Sequence, residues 1–259
     1  MKTKKRAFTL IELLVVIAII ALLLAILMPG LRRAKEIAKT LVCRTNVRSL
    51  TTGYRMFVES NDHKGFKYSK EIDGTHNLWL LEIADQVGDL DKVRYCPKTK
   101  YNDSNPTPGE WQPNKIVGSS TIRWIWPFEN EDTNHLEQGS YATNWWMYRD
   151  KTGPMAFKTA NPQNSGKVPI FYDSKWVDNI TGNDQFPGQH IDLDAGGSFH
   201  SMLGLLMNRH RDELNIGFVD GHVEAVELKM LWSLKWGKEF ITQGEVTRPD
   251  GSPIYQRGN

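Results

Sequence analysis

The feature that most constrains this chain is an uninterrupted apolar stretch close to its N-terminus. The sixteen residues from Leu13 to Met28 are all apolar. Counted from Phe8 the stretch is 21 residues long, and Thr9 and Glu12 are its only polar members. A helix of 21 residues spans about 30 Å, which is the thickness of the hydrocarbon core of a bilayer. We therefore expect one membrane-spanning helix, although a mean hydropathy of −0.46 is typical of a water-soluble protein.

The charges that flank this stretch predict its orientation. The first seven residues, MKTKKRA, carry four basic side chains and no acidic one. A basic flank stays in the cytoplasm, so everything after the apolar stretch is expected on the opposite side of the membrane. A secretory signal peptide has a shorter apolar region, which a small-residue cleavage site follows. Here the apolar region is followed by Pro29-Gly30-Leu31, which favours a retained, single-pass anchor.

The segment KRAFTLIELL, residues 5–14, resembles the prepilin-type cleavage and methylation motif of type IV pilins and type II secretion pseudopilins. The resemblance implies that a prepilin peptidase of the bacterial inner membrane cuts between Ala7 and Phe8 and that the new amine of Phe8 is methylated. Glu12 then becomes the fifth residue of the mature chain, and Pro29 lies where many members have a helix-kinking proline. Ala7 departs from the family, which usually has glycine before the cut.

The chemistry of the motif concerns two charges in an apolar environment. Cleavage exposes a positive amine at Phe8, and Glu12 of a neighbouring subunit can neutralise it when subunits stack. Both charges are costly in hydrocarbon unless they are paired, so pairing favours assembly. Loss of the leader, residues 1–7, leaves 28 basic against 30 acidic side chains, a net charge of −2.

The pattern beyond the membrane predicts an α+β, pilin-like fold, in which a long N-terminal hydrophobic α-helix packs on an antiparallel β-sheet head. We expect the assembly helix over residues 8–30, its amphipathic continuation over 31–58, and the head over 59–259, in the periplasm or in an extracellular filament. In the continuation, apolar residues that include Leu31, Leu41, Leu50 and Tyr54 recur at helical spacing. A second helix is expected at 77–87. Short apolar segments between turns predict strands within 119–128, 141–148, 168–172 and 214–226.

The two cysteines, Cys43 and Cys96, are expected to form a disulfide, because a translocated head faces an oxidising compartment. Two free buried thiols and a metal-binding pair of cysteines are the alternatives.

A second motif lies near the C-terminus, where nine residues separate His210 from Asp220-Gly221. Asp-Gly is favoured in two-residue turns, and the apolar residues on either side alternate, so we expect a β-hairpin. The spacing resembles the H-X9-DG motif at the C-terminus of large pseudopilin-like proteins. In the interpretation that we favour, His210 is a structural clasp that hydrogen-bonds the turn or the preceding strand.

Metal binding is the less favoured interpretation of these residues, and no cofactor is otherwise expected. His210, Asp220 and His222 could together hold Zn²⁺, although they flank a turn. His190, Asp192 and Asp194 alternate along a possible strand, and related pseudopilins can carry calcium in a C-terminal loop, so Ca²⁺ is the candidate there. A solvated acidic strand is the commoner outcome of such a pattern.

The sequence shows no serine elbow, paired-histidine zinc helix or phosphate-binding glycine loop, so we do not expect an enzyme. A net charge of +2 gives no reason to expect nucleic acid. The expected function is a structural subunit of a type II secretion or pilus filament, with the prepilin peptidase, other pilin or pseudopilin subunits and the inner membrane as partners. The alternative is a membrane-anchored or minor-pilin module that binds glycans or another ligand. It predicts a solvent-facing row of rings among the nine tryptophans, whereas the filament subunit predicts that most of them are buried. Trp145 and Trp146 are neighbours on a predicted strand, so one ring is expected in the core and the other outside it.

Overall fold

A computed structural model describes residues 10–68, 79–104, 106–107, 110, 112–126, 137–183, 201–207, 209–244 and 246–247. The chain divides into two compact units, Met1–Leu41 and Val42–Asn259.

The first unit consists of the N-terminal part of a helix, α1, that extends from Leu10 to Ser60 without a break at Pro29. This helix has an 18-residue window with a mean hydropathy of 3.3, none of it buried, and among the described residues it alone is long and apolar enough to cross a membrane. The long hydrophobic helix predicted from the sequence is thus confirmed. A kink at Pro29 stays a prediction.

The second unit contains three further helices and seven strands among its described residues. The helices are α2 (Trp79–Val87), α3 (Leu90–Val93) and α4 (Pro113–Ile116), of which α2 confirms the predicted second helix. The strands are β1 (Trp124–Ile125), β2 (Gln138–Gly139), β3 (Tyr141–Asn144), β4 (Pro169–Asp173), β5 (Asp178–Asn179), β6 (Glu213–Phe218) and β7 (Val223–Glu227). Short 3-10 helices also occur, at Trp145–Met147, Ser165–Lys167, Met202–Leu205 and Leu228–Ser233.

Five of the strands form one sheet in the order β5-β3-β4-β6-β7, and β1 pairs with β2 separately. Every pair in the five-stranded sheet is antiparallel except β3 with β5. The parallel pair arises because the chain reverses after β4 and returns along the far edge of β3, so β5 has the direction of β3. The predicted α+β fold with a largely antiparallel sheet is confirmed, and the parallel pair at its edge makes the sheet mixed.

Both faces of β6 are covered. Successive residues of a strand point to opposite faces, and Leu214, Ile216 and Phe218 lie in one apolar cluster together with residues of the C-terminal 3-10 helix. On the other face, Gly217 lies against α1: a Cβ atom placed on it would lie 3.2 Å from Val47 Cγ1 and would collide with Thr51 Oγ1. The C-terminal part of α1 therefore packs directly on the backbone of the sheet.

The face of α1 that packs on the sheet follows helical spacing. Its buried residues are Cys43, Asn46, Val47, Leu50, Thr51, Gly53, Tyr54 and Val58. Leu50 and Tyr54 belong to the predicted apolar pattern, whereas Leu31 and Leu41 of the same pattern are exposed.

Most of the described tryptophans are in the core, as the filament interpretation predicts. The buried ones are Trp79, Trp124, Trp126, Trp176, Trp232 and Trp236. Trp145 and Trp146 are half-buried. The expectation that these two rings point to opposite sides of a strand was wrong, because β3 ends at Asn144 and a 3-10 helix begins. Asn144 Oδ1 accepts a hydrogen bond from the amide of Trp146 (3.1 Å), which starts that helix.

Candidate functional site

Four side chains with metal-binding atoms converge inside the head, and each comes from a different part of the chain. Cys43 lies on α1, Cys96 in the segment after α3, Asp173 at the end of β4, and His210 just before β6. One nitrogen, oxygen or sulfur atom from each residue lies within 4.8 Å of the others. All four residues are buried, with at most 4% of any of them exposed. We call this set the four-residue cluster.

Local structure holds each member in place. Pro97 and Lys98 form a turn in which the amide of Thr99 donates to the carbonyl of Cys96 (2.9 Å). Asn46 on α1 donates to the carbonyl of Tyr95 (2.9 Å), so this turn is fastened to the helix. His210 is followed by Arg211 and Asp212, both with positive φ (55° and 53°). Two consecutive residues in this region are uncommon, and they redirect the chain from the cluster into β6.

The imidazole of His210 is at the centre of the cluster. Its Nε2 atom lies 3.1 Å from Cys43 Sγ, 3.5 Å from Cys96 Sγ and 3.3 Å from Asp173 Oδ2. Cys43 Sγ lies 3.4 Å from Asp173 Oδ1. A ring nitrogen carries one hydrogen or one lone pair, so it can direct a hydrogen bond to only one of these three neighbours.

Arg209 and Tyr141 surround the cluster. The Arg209 side chain is fully buried and donates to Asp173 Oδ1 (3.1 Å). It also donates to the carbonyls of Ser140 (2.7 Å) and Ser119 (2.7 Å). The hydroxyl of Tyr141 donates to Cys43 Sγ (3.3 Å). The cluster thus has a permanent positive charge beside it.

The four groups shift one another's protonation. Burial tends to raise the pKa of Cys96, but hydrogen bonds with Cys43 and His210 outweigh it and lower that pKa to about 6. Burial tends to lower the pKa of His210, but the Asp173 carboxylate outweighs it and raises that pKa to about 9. Burial raises the pKa of the Cys43 thiol well above its ordinary value. At neutral pH the arrangement favours a Cys96 thiolate beside a His210 imidazolium.

A thiolate–imidazolium pair can be a nucleophile in an enzyme when a substrate reaches the sulfur atom. Here Cys96 and Cys43 are both 0% exposed and His210 is 4% exposed. The cluster is therefore closed to substrates in this conformation. Its geometry is better suited to a structural role than to catalysis.

The predicted disulfide is not formed in this structure. Cys43 and Cys96 do lie together in the core, as a disulfide requires, but both are free thiols. Cys43 Sγ instead makes polar contacts with His210, Asp173 and Tyr141. Of the alternatives to the disulfide, the structure shows two free buried thiols, with Asp173 and His210 beside them.

The second sequence motif forms the predicted hairpin, β6–β7, but with a different turn. The amide of Gly221 donates to the carbonyl of Phe218 (2.9 Å), and the amide of Phe218 donates to the carbonyl of His222 (3.0 Å). Gly221 has a φ of 101°. Three residues, rather than two, form this loop, and the glycine at positive φ closes it. Arg55 of α1 donates to the carbonyl of Asp220 (3.0 Å), which fastens the turn to the helix.

The structure separates the residues of this motif. His210 lies in the cluster, whereas Asp220 Oδ1 accepts hydrogen bonds from the amide (3.1 Å) and ring (2.6 Å) of His222 at the hairpin turn. Strand β6 lies between them, and its six residues span about 20 Å. His210, Asp220 and His222 therefore cannot share one Zn²⁺ ion in this conformation. The clasp interpretation fits better, since His210 contacts Asp173 of the neighbouring strand β4, although the turn lies at the other end of β6.

Several predicted site residues are not part of what the structure describes. His190, Asp192 and Asp194, the calcium candidates, lie outside the described residues, as do Ala7 and Phe8. Glu12 is described, in the first turn of α1, where its side chain is exposed.

Sequence reasoning missed Asp173 and Arg209. Asp173 directly follows the predicted strand segment 168–172, and nothing in the sequence indicates that its side chain is buried beside a cation. Arg209 directly precedes His210 in the sequence, but nothing in the motif indicates that both side chains point inward.

Comparison with known proteins finds a family match in the N-terminal segment. Residues 2–28 match the family described as the prokaryotic N-terminal methylation motif. The N-terminus of this chain is of the prepilin type. The match coincides with the positive flank, the Phe8–Glu12 segment and the apolar part of α1. Neither a curated protein nor a solved structure matches the chain.

Proposed function

We propose that this chain is a prepilin-peptidase-processed subunit of a type II secretion or type IV pilus-like filament, with a structural role. The observation that carries the proposal is the coincidence of the methylation motif at residues 2–28 with a helix whose apolar side chains are exposed. Leu10, Ile26 and Leu31, for example, are 78%, 70% and 70% exposed. Apolar surface of this extent needs a lipid or protein partner.

In this proposal, lipid covers the apolar surface of the helix before assembly, and other subunits cover it afterwards. Before assembly, the helix spans the inner membrane as a single-pass anchor, with the basic leader in the cytoplasm and the head in the periplasm. After the peptidase removes residues 1–7, the same apolar surface packs against the helices of other subunits. The charge pair between the Phe8 amine and Glu12 of a neighbour then sets the axial position of each subunit.

The alternative function, a glycan- or ligand-binding module, draws on exposed aromatic rings. Six of the described tryptophans are buried and two are half-buried. These eight rings act mainly as core residues, so the filament proposal is better supported.

The test is mass spectrometry of the protein N-terminus, from bacterial envelopes and from material sheared off the cell surface. We expect an N-methylated Phe8 in the envelope fraction and, for an extracellular filament, in the sheared fraction too. Retention of Met1 and of the whole leader in all material would refute the proposal.

A pair of variants separates processing from assembly. Glu12→Ala should leave the methylated Phe8 in envelopes but abolish assembled material, because the amine then loses its carboxylate partner. Glu36→Ala is the matched control, since Glu36 is an acidic residue of the same helix that lies beyond the apolar part. It should assemble normally. Unchanged assembly of the Glu12→Ala protein would show that the chain is anchored without using this pair.

A further inference from the structure

The four-residue cluster has the ligand chemistry of a structural zinc site. Thiolate sulfur and imidazole nitrogen are the ligands of structural Zn²⁺ sites, and a carboxylate oxygen is a further ligand that Zn²⁺ accepts. We propose that Cys43, Cys96, Asp173 and His210 bind one Zn²⁺ ion in the head. This inference is independent of filament formation, because it concerns the fold of the head alone.

The distances match a tetrahedral site. With metal–ligand bonds of about 2.0–2.3 Å, the ligand atoms of a tetrahedral zinc centre lie about 3.3–3.8 Å apart. The observed separations from His210 Nε2 are 3.1 Å to Cys43 Sγ, 3.3 Å to Asp173 Oδ2 and 3.5 Å to Cys96 Sγ, and Cys43 Sγ lies 3.5 Å from the same carboxylate oxygen, Asp173 Oδ2. The remaining separations within the cluster are at most 4.8 Å, so four of the six lie near the tetrahedral range and the others need to shorten by no more than about 1.5 Å to bind an ion at the centre.

The convergence of three atoms on one ring nitrogen is the second argument. A single hydrogen on Nε2 cannot bond to two sulfur atoms and a carboxylate at once. A cation at the centre of the cluster contacts all four groups together, and the neutral imidazole then directs its lone pair at the metal. The geometry is thus better explained by one shared ion than by pairwise hydrogen bonds.

The charges of the site balance. Two thiolates and one carboxylate carry −3, Zn²⁺ carries +2, and the fully buried Arg209 beside Asp173 carries +1. A net charge of zero matters because an uncompensated charge in the interior is costly. Arg209 also holds Asp173 by its hydrogen bond (3.1 Å), and Tyr141 holds Cys43 (3.3 Å), so partners outside the ligand set orient two ligands.

The site joins parts of the chain that are far apart in sequence. It links α1 through Cys43 to the sheet through Asp173, and to the segments that contain Cys96 and His210. All four tetrahedral positions come from the protein, which is typical of structural rather than catalytic zinc. The metal therefore fastens the helix to the head, and its binding energy contributes to folding.

The first test is the metal content of the full-length protein, produced with a purification tag that contains no histidine and extracted in detergent without chelators. We expect about one zinc ion per chain by mass spectrometry of the metals. X-ray absorption at the zinc edge should show two sulfur and two nitrogen or oxygen neighbours. These measurements need no variant, so they do not depend on whether a variant folds.

Substitutions then test the ligand set. Cys96→Ser and His210→Gln should each weaken zinc binding by at least about 100-fold, because loss of a residue that merely orients a ligand already costs about 10–100-fold. His222→Gln is the matched control, since His222 belongs to the exposed hairpin turn and contacts Asp220 instead. It should bind zinc as the unmodified protein does. Addition of Co²⁺ to the metal-free protein should produce thiolate–cobalt absorption in the control and a much weaker band in Cys96→Ser, which retains only the Cys43 thiolate.

Two outcomes would overturn the proposal. One is a Cys43–Cys96 disulfide in the protein isolated from envelopes, seen as thiols that react with an alkylating reagent only after reduction. The other is a protein with two reactive thiols after unfolding, no zinc, and no absorption change with Co²⁺. Neither outcome would affect the methylated Phe8 on which the filament proposal depends.

Discussion

The contact between Gly217 and α1 allows a sharp test of how the head is built. In Gly217→Ala, the new methyl group would lie 3.2 Å from both Thr51 Cβ and Val47 Cγ1, and would overlap Thr51 Oγ1. Strand β6 cannot retreat easily, because it is paired with β4 on one side and β7 on the other. Thr51 Oγ1 cannot rotate away without losing its buried hydrogen bond to the carbonyl of Val47 (2.7 Å).

These contacts determine the expected magnitude. Overpacking a well-packed core by one methyl group typically costs about 1–3 kcal/mol, and a lost buried hydrogen bond adds about 1 kcal/mol. We therefore expect Gly217→Ala to lower the free energy of unfolding by about 2–4 kcal/mol. For a unit of this size, each kcal/mol corresponds to about 2–4 °C in the melting temperature.

Tryptophan fluorescence during chemical unfolding of the full chain in detergent measures this effect. All nine tryptophans follow residue 78, so the signal reports the head and not the apolar helix. Gly244→Ala is the matched control, because a Cβ atom there has no neighbour within 4 Å. In a Thr51→Ala background, the cost of Gly217→Ala should fall, since the overlapping oxygen is absent. Equal stability of Gly217→Ala and Gly244→Ala would refute the packing of α1 on β6.

Two further predictions concern charged groups. Arg209→Gln removes the arginine partner of the buried Asp173 carboxylate and leaves His210 as the cation beside it, so we expect a loss of about 3 kcal/mol in the same unfolding assay, at the low end for a broken buried ion pair. The exposed Arg48→Gln is the control, and similar stability of the two variants would contradict the ion pair. Burial tends to raise the pKa of Asp220, but hydrogen bonds from the amide and ring of His222 outweigh it and lower that pKa. A lowered pKa in the folded state stabilises the protein above the ordinary aspartate pKa of about 3.9, and this contribution is lost as the pH falls below it. Asp220→Asn should therefore lose less stability between about pH 6 and pH 3 than the unmodified protein does, and an identical acid dependence would show that this carboxylate is not held in the turn.

Local patterns predicted the regular elements well. The apolar run and the spacing of Leu50 and Tyr54 indicated a helix that the structure shows from Leu10 to Ser60. The alternation of Leu214, Ile216 and Phe218 indicated the buried strand β6. Periodicity of this kind is a property of neighbouring residues, so the sequence suffices to recognise it.

Features that depend on partners distant in sequence were not predictable in this way. The parallel pairing of β3 with β5 depends on where the chain returns after β4. The three-residue turn before His222 depends on Gly221 adopting a positive φ of 101° and on the support that Arg55 gives from α1. The assignment of Trp145 and Trp146 failed because the side chain of Asn144 ends the strand.

The prepilin-type character of the N-terminus can be recognised from the order of the residues, because the matching segment, residues 2–28, is short and contiguous. Charge, apolar length and the position of Glu12 are all local properties. The four-residue cluster, in contrast, could not be recognised from any local pattern. Its successive members are 53, 77 and 37 positions apart along the chain, and only the packing of α1 on the sheet brings Cys43, Cys96, Asp173 and His210 within 4.8 Å of one another. The sequence indicated two separate sites, one at the two cysteines and one at the histidine motif. In the folded protein these residues form a single cluster, because burial and convergence depend on the whole fold.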